Sequence, residues 1–151
     1  MTAVILAAGI ASRLRPLTNN IPKSLLEVGG KPLLQRNLES LKLNGITRLV
    51  IVTGYLHEMI ESLVNSLHLD VDIEFIYNSA FDQTNNNYSL WLARPAVDGH
   101  DMLLLDADIL FDSRILARLV SSPHRDALIM RASEHLGHEE IKCELNGDGA
   151  I

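Results

Sequence analysis

A single cysteine, Cys143, stands among the 151 residues, so no disulfide can close within the chain. That usage fits a reducing compartment, and the expected location is cytoplasmic. No apolar run approaches membrane-spanning length, and no basic stretch precedes the apolar N-terminus as it would in a secretion signal. Positive charge is also short: the formal net charge is −6 at pH 7. No overall positive field draws phosphate backbones in, which argues against coating nucleic acid. Any phosphate binding must come from a few local cations. Repeats, low-complexity tracts and linker-like stretches are missing too, so residues 1–151 read as one domain with a real core.

What is present is an alternation of strands and helices. AVILA (3–7) is a continuous apolar run of strand length, the mark of a strand buried on both faces. Pro32 suits a helix start, Leu33, Leu34, Leu38 and Leu41 form one helical stripe, and Asn44-Gly45 stops it. RLVIVTG (48–54), DIEFIYN (72–78), DMLLLDAD (101–108) and DALIMRAS (126–133) read as four further strands. EMIESLVNSLHL (58–69), with Met59, Ile60, Leu63, Val64 and Leu67 at helical spacing, and SRILARLVSS (113–122) read as helices. NYSLWLARPAV reads as a short helix ended near Pro95, on which Trp91 is expected to pack against the sheet. The pattern predicts a three-layer α/β fold with a mostly parallel sheet of Rossmann-like βαβ units. Ligands in such folds collect at the carboxyl ends of the strands.

The connection after the first strand, AAGIASRLRPLTNNIPKSLL, sits at that edge and carries Arg13, Arg15 and Lys23. Ala7, Ala8 and Gly9 let a ligand approach the backbone, Arg13 offers bidentate contact to phosphate, and Lys23 offers a point charge. Taken singly, the three are also explained as solvated surface cations. A dinucleotide fingerprint is not met, since Gly9-Ile10-Ala11 lacks the second glycine and no helix follows at once. A Walker A loop is excluded because no Gly-Lys-Ser/Thr follows. Asp106 and Asp108 fall on the same side at the end of an apolar strand, a setting that suits Mg²⁺. Helix capping is the alternative there, and Asp112 and Ser113 suit that task better. Asn85, Asn86 and Asn87 open a helix, where they can serve as ordinary caps or present amides to a ligand. The six histidines show no metal-ligand spacing; His135 and His138 are given no role.

LAAGIASRLRPLTNNIPKSLLEVGGKPLL resembles the signature of the nucleotidyltransferase family with the nucleotide-diphospho-sugar transferase fold: L-A-A-G-x-G-x-R-L-x-P-L-T, then P-K-x-L, then G-K-P. The second glycine of that pattern is Ala11 here. The resemblance implies that Leu6, Ala8 and Gly9 give backbone contacts to base and sugar. It implies that Arg13 holds the departing phosphates and that Lys23 bridges the α-phosphate and the acceptor phosphate. Asp108 would bind Mg²⁺, with a second acidic ligand lying beyond Ile151. VTGYLHE (52–58), Tyr77-Asn78, Asn85-Asn86 and Tyr88-Ser89-Leu90 look like the phosphocholine cytidylyltransferase branch and its relatives acting on phosphonates. On that likeness Asn78, Asn85 and Ser89 read the pyrimidine and its ribose.

The expected reaction is therefore CMP transfer from CTP to a small phosphorylated or phosphonate acceptor, with pyrophosphate released and Mg²⁺ as cofactor. A sugar-1-phosphate nucleotidyltransferase, or a catalytically weak nucleotide-binding domain, is the alternative. EEIKCELNGDGAI (139–151) reads as a strand, a tight turn and the opening of a partner strand, so a further C-terminal portion is expected.

Overall fold

The computed structural model describes residues 1–130 together with 143, 146 and 147. Among the described residues four strands form one parallel sheet: β1 (Thr2–Ala7), β2 (Arg48–Thr53), β3 (Asp72–Tyr77) and β4 (Met102–Asp106), in the order β3-β2-β1-β4. Helices α1 (Leu33–Leu43), α2 (His57–Ser66) and α3 (Asn86–Val97) fill the connections, and α4 (Ser113–Val120) follows β4.

The continuous apolar run of β1 has its predicted consequence, since Ala3, Val4 and Ile5 are fully buried. Alternation splits the strand between two cores. Ala3, Ile5 and Ala7 join Leu34, Leu38 and Leu41 of α1, Ile60 and Val64 of α2 and Leu116 of α4. Val4 and Leu6 join Ala93 and Val97 of α3 on the other face. The result is the expected three-layer α/β arrangement.

Helix α1 ends as its Asn-Gly pair predicts. Gly45 takes the left-handed conformation (φ 78), its N–H donates to Lys42 O at 3.0 Å, and Ile46 N–H donates to Leu41 O at 3.1 Å.

Three expectations are corrected. Helix α3 continues past Pro95 to Val97, because Ala96 and Val97 pack on the sheet and Asp98 N–H still donates to Arg94 O at 2.9 Å. A proline this close to a helix end deletes one bond without ending the turn. Trp91 does not pack α3 on the sheet; it is 59% exposed and stacks on Tyr88, with ring centroids 5.5 Å apart. Ser89, Ala93 and Val97 face the sheet instead. The described part of the fifth expected strand, residues 126–130, forms no strand. A short apolar run such as residues 127–130 forms a strand only when a neighbouring strand supplies the ladder. Residues 131–133 of that segment, His135 and His138, and most of the expected C-terminal hairpin lie outside the described residues.

The strand order positions the site. The chain builds outward from β1 to β2 to β3, then returns to place β4 on the other side of β1. The order reverses between β1 and β4, and folds of this kind bind ligands at the carboxyl ends of the strands at such a point.

Candidate active site

The loop after β1 starts at that edge, and short turns of its own order it. Ala8 is buried, while Gly9 is exposed with open space around it. Ala11 adopts the left-handed conformation (φ 53, ψ 46), the geometry for which glycine is suited. A 3-10 turn at Ser12–Leu14 follows, with Leu14 N–H donating to Ala11 O at 3.0 Å. Thr18 is fully buried and its hydroxyl donates to the same Ala11 carbonyl at 3.0 Å. Arg13 and Arg15 lie exposed on this framework. The carbonyls of Leu6 and Ala8 are engaged inside the protein, accepting from Ala107 N–H at 3.1 Å and Tyr55 N–H at 3.0 Å.

Lys23 leaves a second 3-10 turn, Lys23–Leu25, whose Ser24 and Leu25 are buried against the core. Anchored this way, Lys23 Nζ forms an ion pair with Asp108, just beyond β4. Asp106, at the end of β4, accepts from Asn86 Nδ2 of α3 at 3.2 Å. Although its side chain reaches solvent, partial desolvation and then the nearby Asp108 charge raise the Asp106 pKa, with Lys23 opposing. Loop, strand end and helix start thus meet at one place, with a cation and two carboxylates in the same cleft.

The asparagine cluster is partly turned inward. Asn85 is the N-cap of α3, its Oδ1 accepting from Asn87 N–H at 3.0 Å and Tyr88 N–H at 3.4 Å. Asn78 is buried, and its Nδ2 donates to Ser89 Oγ and Thr84 Oγ1, both at 3.1 Å. Its Oδ1 accepts from Ala80 N–H at 3.0 Å. Asn78 and Ser89 are therefore brought together as a clasp between the end of β3 and α3. These bonds shape the segment between them.

Three residues given no individual role by sequence alone help to build the site; two of them, Gly54 and Tyr55, lie within the VTGYLHE motif. Asn37 sits on the buried face of α1 within the leucine stripe and donates to Ala107 O at 3.5 Å, steadying the residue between the two aspartates. Its signal was an amide at a helical position that should be apolar. A methyl on Gly54 would stand 2.6 Å from Phe81 Cβ and 2.7 Å from Ala8 O, so only glycine lets β2's end approach the first loop. Tyr55 N–H reaches Ala8 O, and its hydroxyl donates to Asn19 O at 2.7 Å and Thr18 O at 3.1 Å. Only tertiary contact reveals that role.

Residues 2–133 match the nucleotidyl transferase family, and the chain belongs to it. Choline-phosphate cytidylyltransferase of Haemophilus influenzae is 40% identical over 151 residues, 100% of this chain and 60% of that protein. UTP–glucose-1-phosphate uridylyltransferase of Haloferax volcanii is 34% identical over 115 residues, 76% of this chain and 46% of that one. The solved structure of CTP:phosphocholine cytidylyltransferase from Streptococcus pneumoniae superposes with a TM-score of 0.62 at 38% identity, covering 71% of this chain and 44% of that one. This chain thus spans 60% or less of the length of each of these relatives. Among the described residues no helix is long and apolar enough to cross a membrane.

Proposed function

We propose that this chain binds CTP at the carboxyl ends of β1 and β4 and forms the nucleotide half of a site that transfers CMP to a small phosphorylated or phosphonate acceptor. The observation that carries this reading is the meeting of Lys23 from the glycine loop with Asp108 from the end of β4. The resemblance of the motifs carrying them supports a phosphate-binding role for Lys23 and a metal-binding role for Asp108. Likeness to cytidylyltransferases from two organisms supports cytidine as the base.

The chemistry needs little proton transfer. An acceptor oxygen, already anionic at neutral pH, attacks the α-phosphorus. The new P–O bond forms as the bond to the β-phosphate oxygen breaks, and pyrophosphate leaves with its electron pair. No general base is required, consistent with a cleft of cations and carboxylates. Arg13 would neutralise charge on the departing phosphates. Lys23 would hold the α-phosphate and the incoming oxygen in line. Gly9, with open space around it, would let the nucleotide rest on backbone. Asn78, Asn85 and Ser89 would shape the wall that reads the pyrimidine and ribose.

The donor set fits Mg²⁺. Asp108 and Asp106 offer hard carboxylate oxygens, and water together with the acidic ligand expected beyond Ile151 would complete the shell. When bound, the ion would neutralise triphosphate charge, with Asp108 as its holder and Asp106 as neighbour.

Calorimetry with CTP, UTP, dTTP and GTP in the presence of Mg²⁺ tests the reading. Preference for CTP is expected, and the absence of any nucleotide binding would end it. Preference for UTP would favour a sugar-1-phosphate uridylyltransferase, the reading that likeness to the Haloferax volcanii enzyme supports. Ala11 in place of the family's glycine motivates a third reading, a nucleotide-binding domain with weak catalysis. Pyrophosphate release from CTP and phosphocholine, measured on a chain extended to its relatives' length, separates it from the first.

A further inference from the structure

Tyr55 stands on the turn between β2 and α2, outside the group of charged side chains, yet it grips the first loop at both ends. Its backbone N–H donates to Ala8 O at 3.0 Å, where the loop begins. Its hydroxyl donates to Asn19 O at 2.7 Å and Thr18 O at 3.1 Å, where the loop turns back toward Lys23. The ring is half-buried beside Phe81, with centroids 6.3 Å apart. Gly54 permits the close approach, and Leu56, just beyond, is held at φ 49, a left-handed geometry that a leucine adopts only when its surroundings demand it. Thr18 links this grip to the loop's middle. Its carbonyl receives the Tyr55 hydroxyl, and its own hydroxyl donates to Ala11 O, which also receives Leu14 N–H. One run of bonds therefore leads from Tyr55 to the turn that carries Arg13.

We propose that Tyr55 is a positioning residue that braces residues 8–19 from the β2–α2 turn and sets where Gly9 and Arg13 stand above the sheet edge. A loop held in place before its ligand arrives loses less conformational freedom on binding, which appears as affinity. The consequence for nucleotide affinity rests on the function proposed above; the bracing itself does not.

Tyr55→Phe removes the hydroxyl and keeps the ring against Phe81. Amide hydrogen exchange at Leu14, Arg15, Leu17 and Asn19 should quicken on the order of tenfold, the effect of about one net hydrogen bond, with Val4–Leu6 and Val50–Val52 unchanged. Affinity for CTP with Mg²⁺ should fall by about the same factor. Unchanged loop exchange would overturn the proposal. So would equal quickening in β1 and β2, which would make the hydroxyl a support of the whole fold. Faster loop exchange with wild-type affinity would remove the positioning role. Faster loop exchange in a protein whose parent binds no nucleotide would leave the brace standing and defeat the nucleotide reading alone.

Discussion

Lys23 and Asp108 form an ion pair, although one belongs to the turn closing the first loop and the other follows the fourth strand. Each lies against the opposite charge of the other. Both side chains are about one third exposed, 37% and 32%, so the pair adds roughly 1 kcal/mol or less to stability. Lys23→Ala should therefore leave the denaturant midpoint nearly unmoved. If Lys23 meets phosphate, the same change should weaken CTP binding at least about tenfold and slow transfer roughly 100-fold in the extended enzyme. Unaltered affinity in titration calorimetry would remove Lys23 from the site.

Ala11 occupies a left-handed turn that disfavours a Cβ. Ala11→Gly should stabilise the chain by about 1 kcal/mol, read from urea unfolding. Loss of stability would mean that the methyl group contributes packing greater than the strain it causes.

Gly54 faces the opposite constraint. Gly54→Ala sets a methyl 2.7 Å from the Ala8 carbonyl oxygen, so the strand end and the loop must separate. A loss of roughly 1–3 kcal/mol is expected, with nucleotide affinity falling alongside because the displaced loop carries Gly9 and Arg13.

Asn37→Ala tests the support beneath the two aspartates. Removing a buried amide that donates to Ala107 O should cost roughly 1–3 kcal/mol. Mg²⁺-dependent nucleotide affinity should weaken as well, since Ala107 lies between Asp106 and Asp108.

Asp112 supplies a pH signature away from the cleft. The Arg114 guanidinium, followed by the Arg114 backbone N–H, holds its carboxyl down to about 2 against an ordinary 3.8. A pKa lowered by folding adds stability above the ordinary value, and that contribution disappears as pH falls through the lowered one. The difference between wild type and Asp112→Asn should thus be constant above pH 3.8 and close toward pH 2 in acid unfolding curves. A gap that persists at pH 2 would assign the effect to cap geometry instead of charge.

Much of the fold was legible because its signals are local. The apolar run of β1, the leucine stripe of α1 and the Asn44-Gly45 stop each depend on residues a few positions apart, and each appears where periodicity puts it. The errors arose where distant packing prevailed. Val97 on the sheet carries α3 past Pro95, Trp91 turns outward once Ala93 and Val97 face inward, and residues 126–130 form no strand. The cations and aspartates were visible as residue types, and resemblance to a family suggested their roles. Asn37 escaped notice because an amide in a leucine stripe shows its purpose only beside the carbonyl it meets.

The amino-acid sequence by itself determined where β1 to β4 and α1 to α4 lie, and that charged residues follow the strands, because backbone preference and hydrophobic period act over a few residues. The tertiary structure alone decided that β4 returns beside β1, that Lys23 faces Asp108, and that Tyr55 grips a loop from another turn. Those relations depend on how layers pack around β1, and packing joins residues that no local pattern connects.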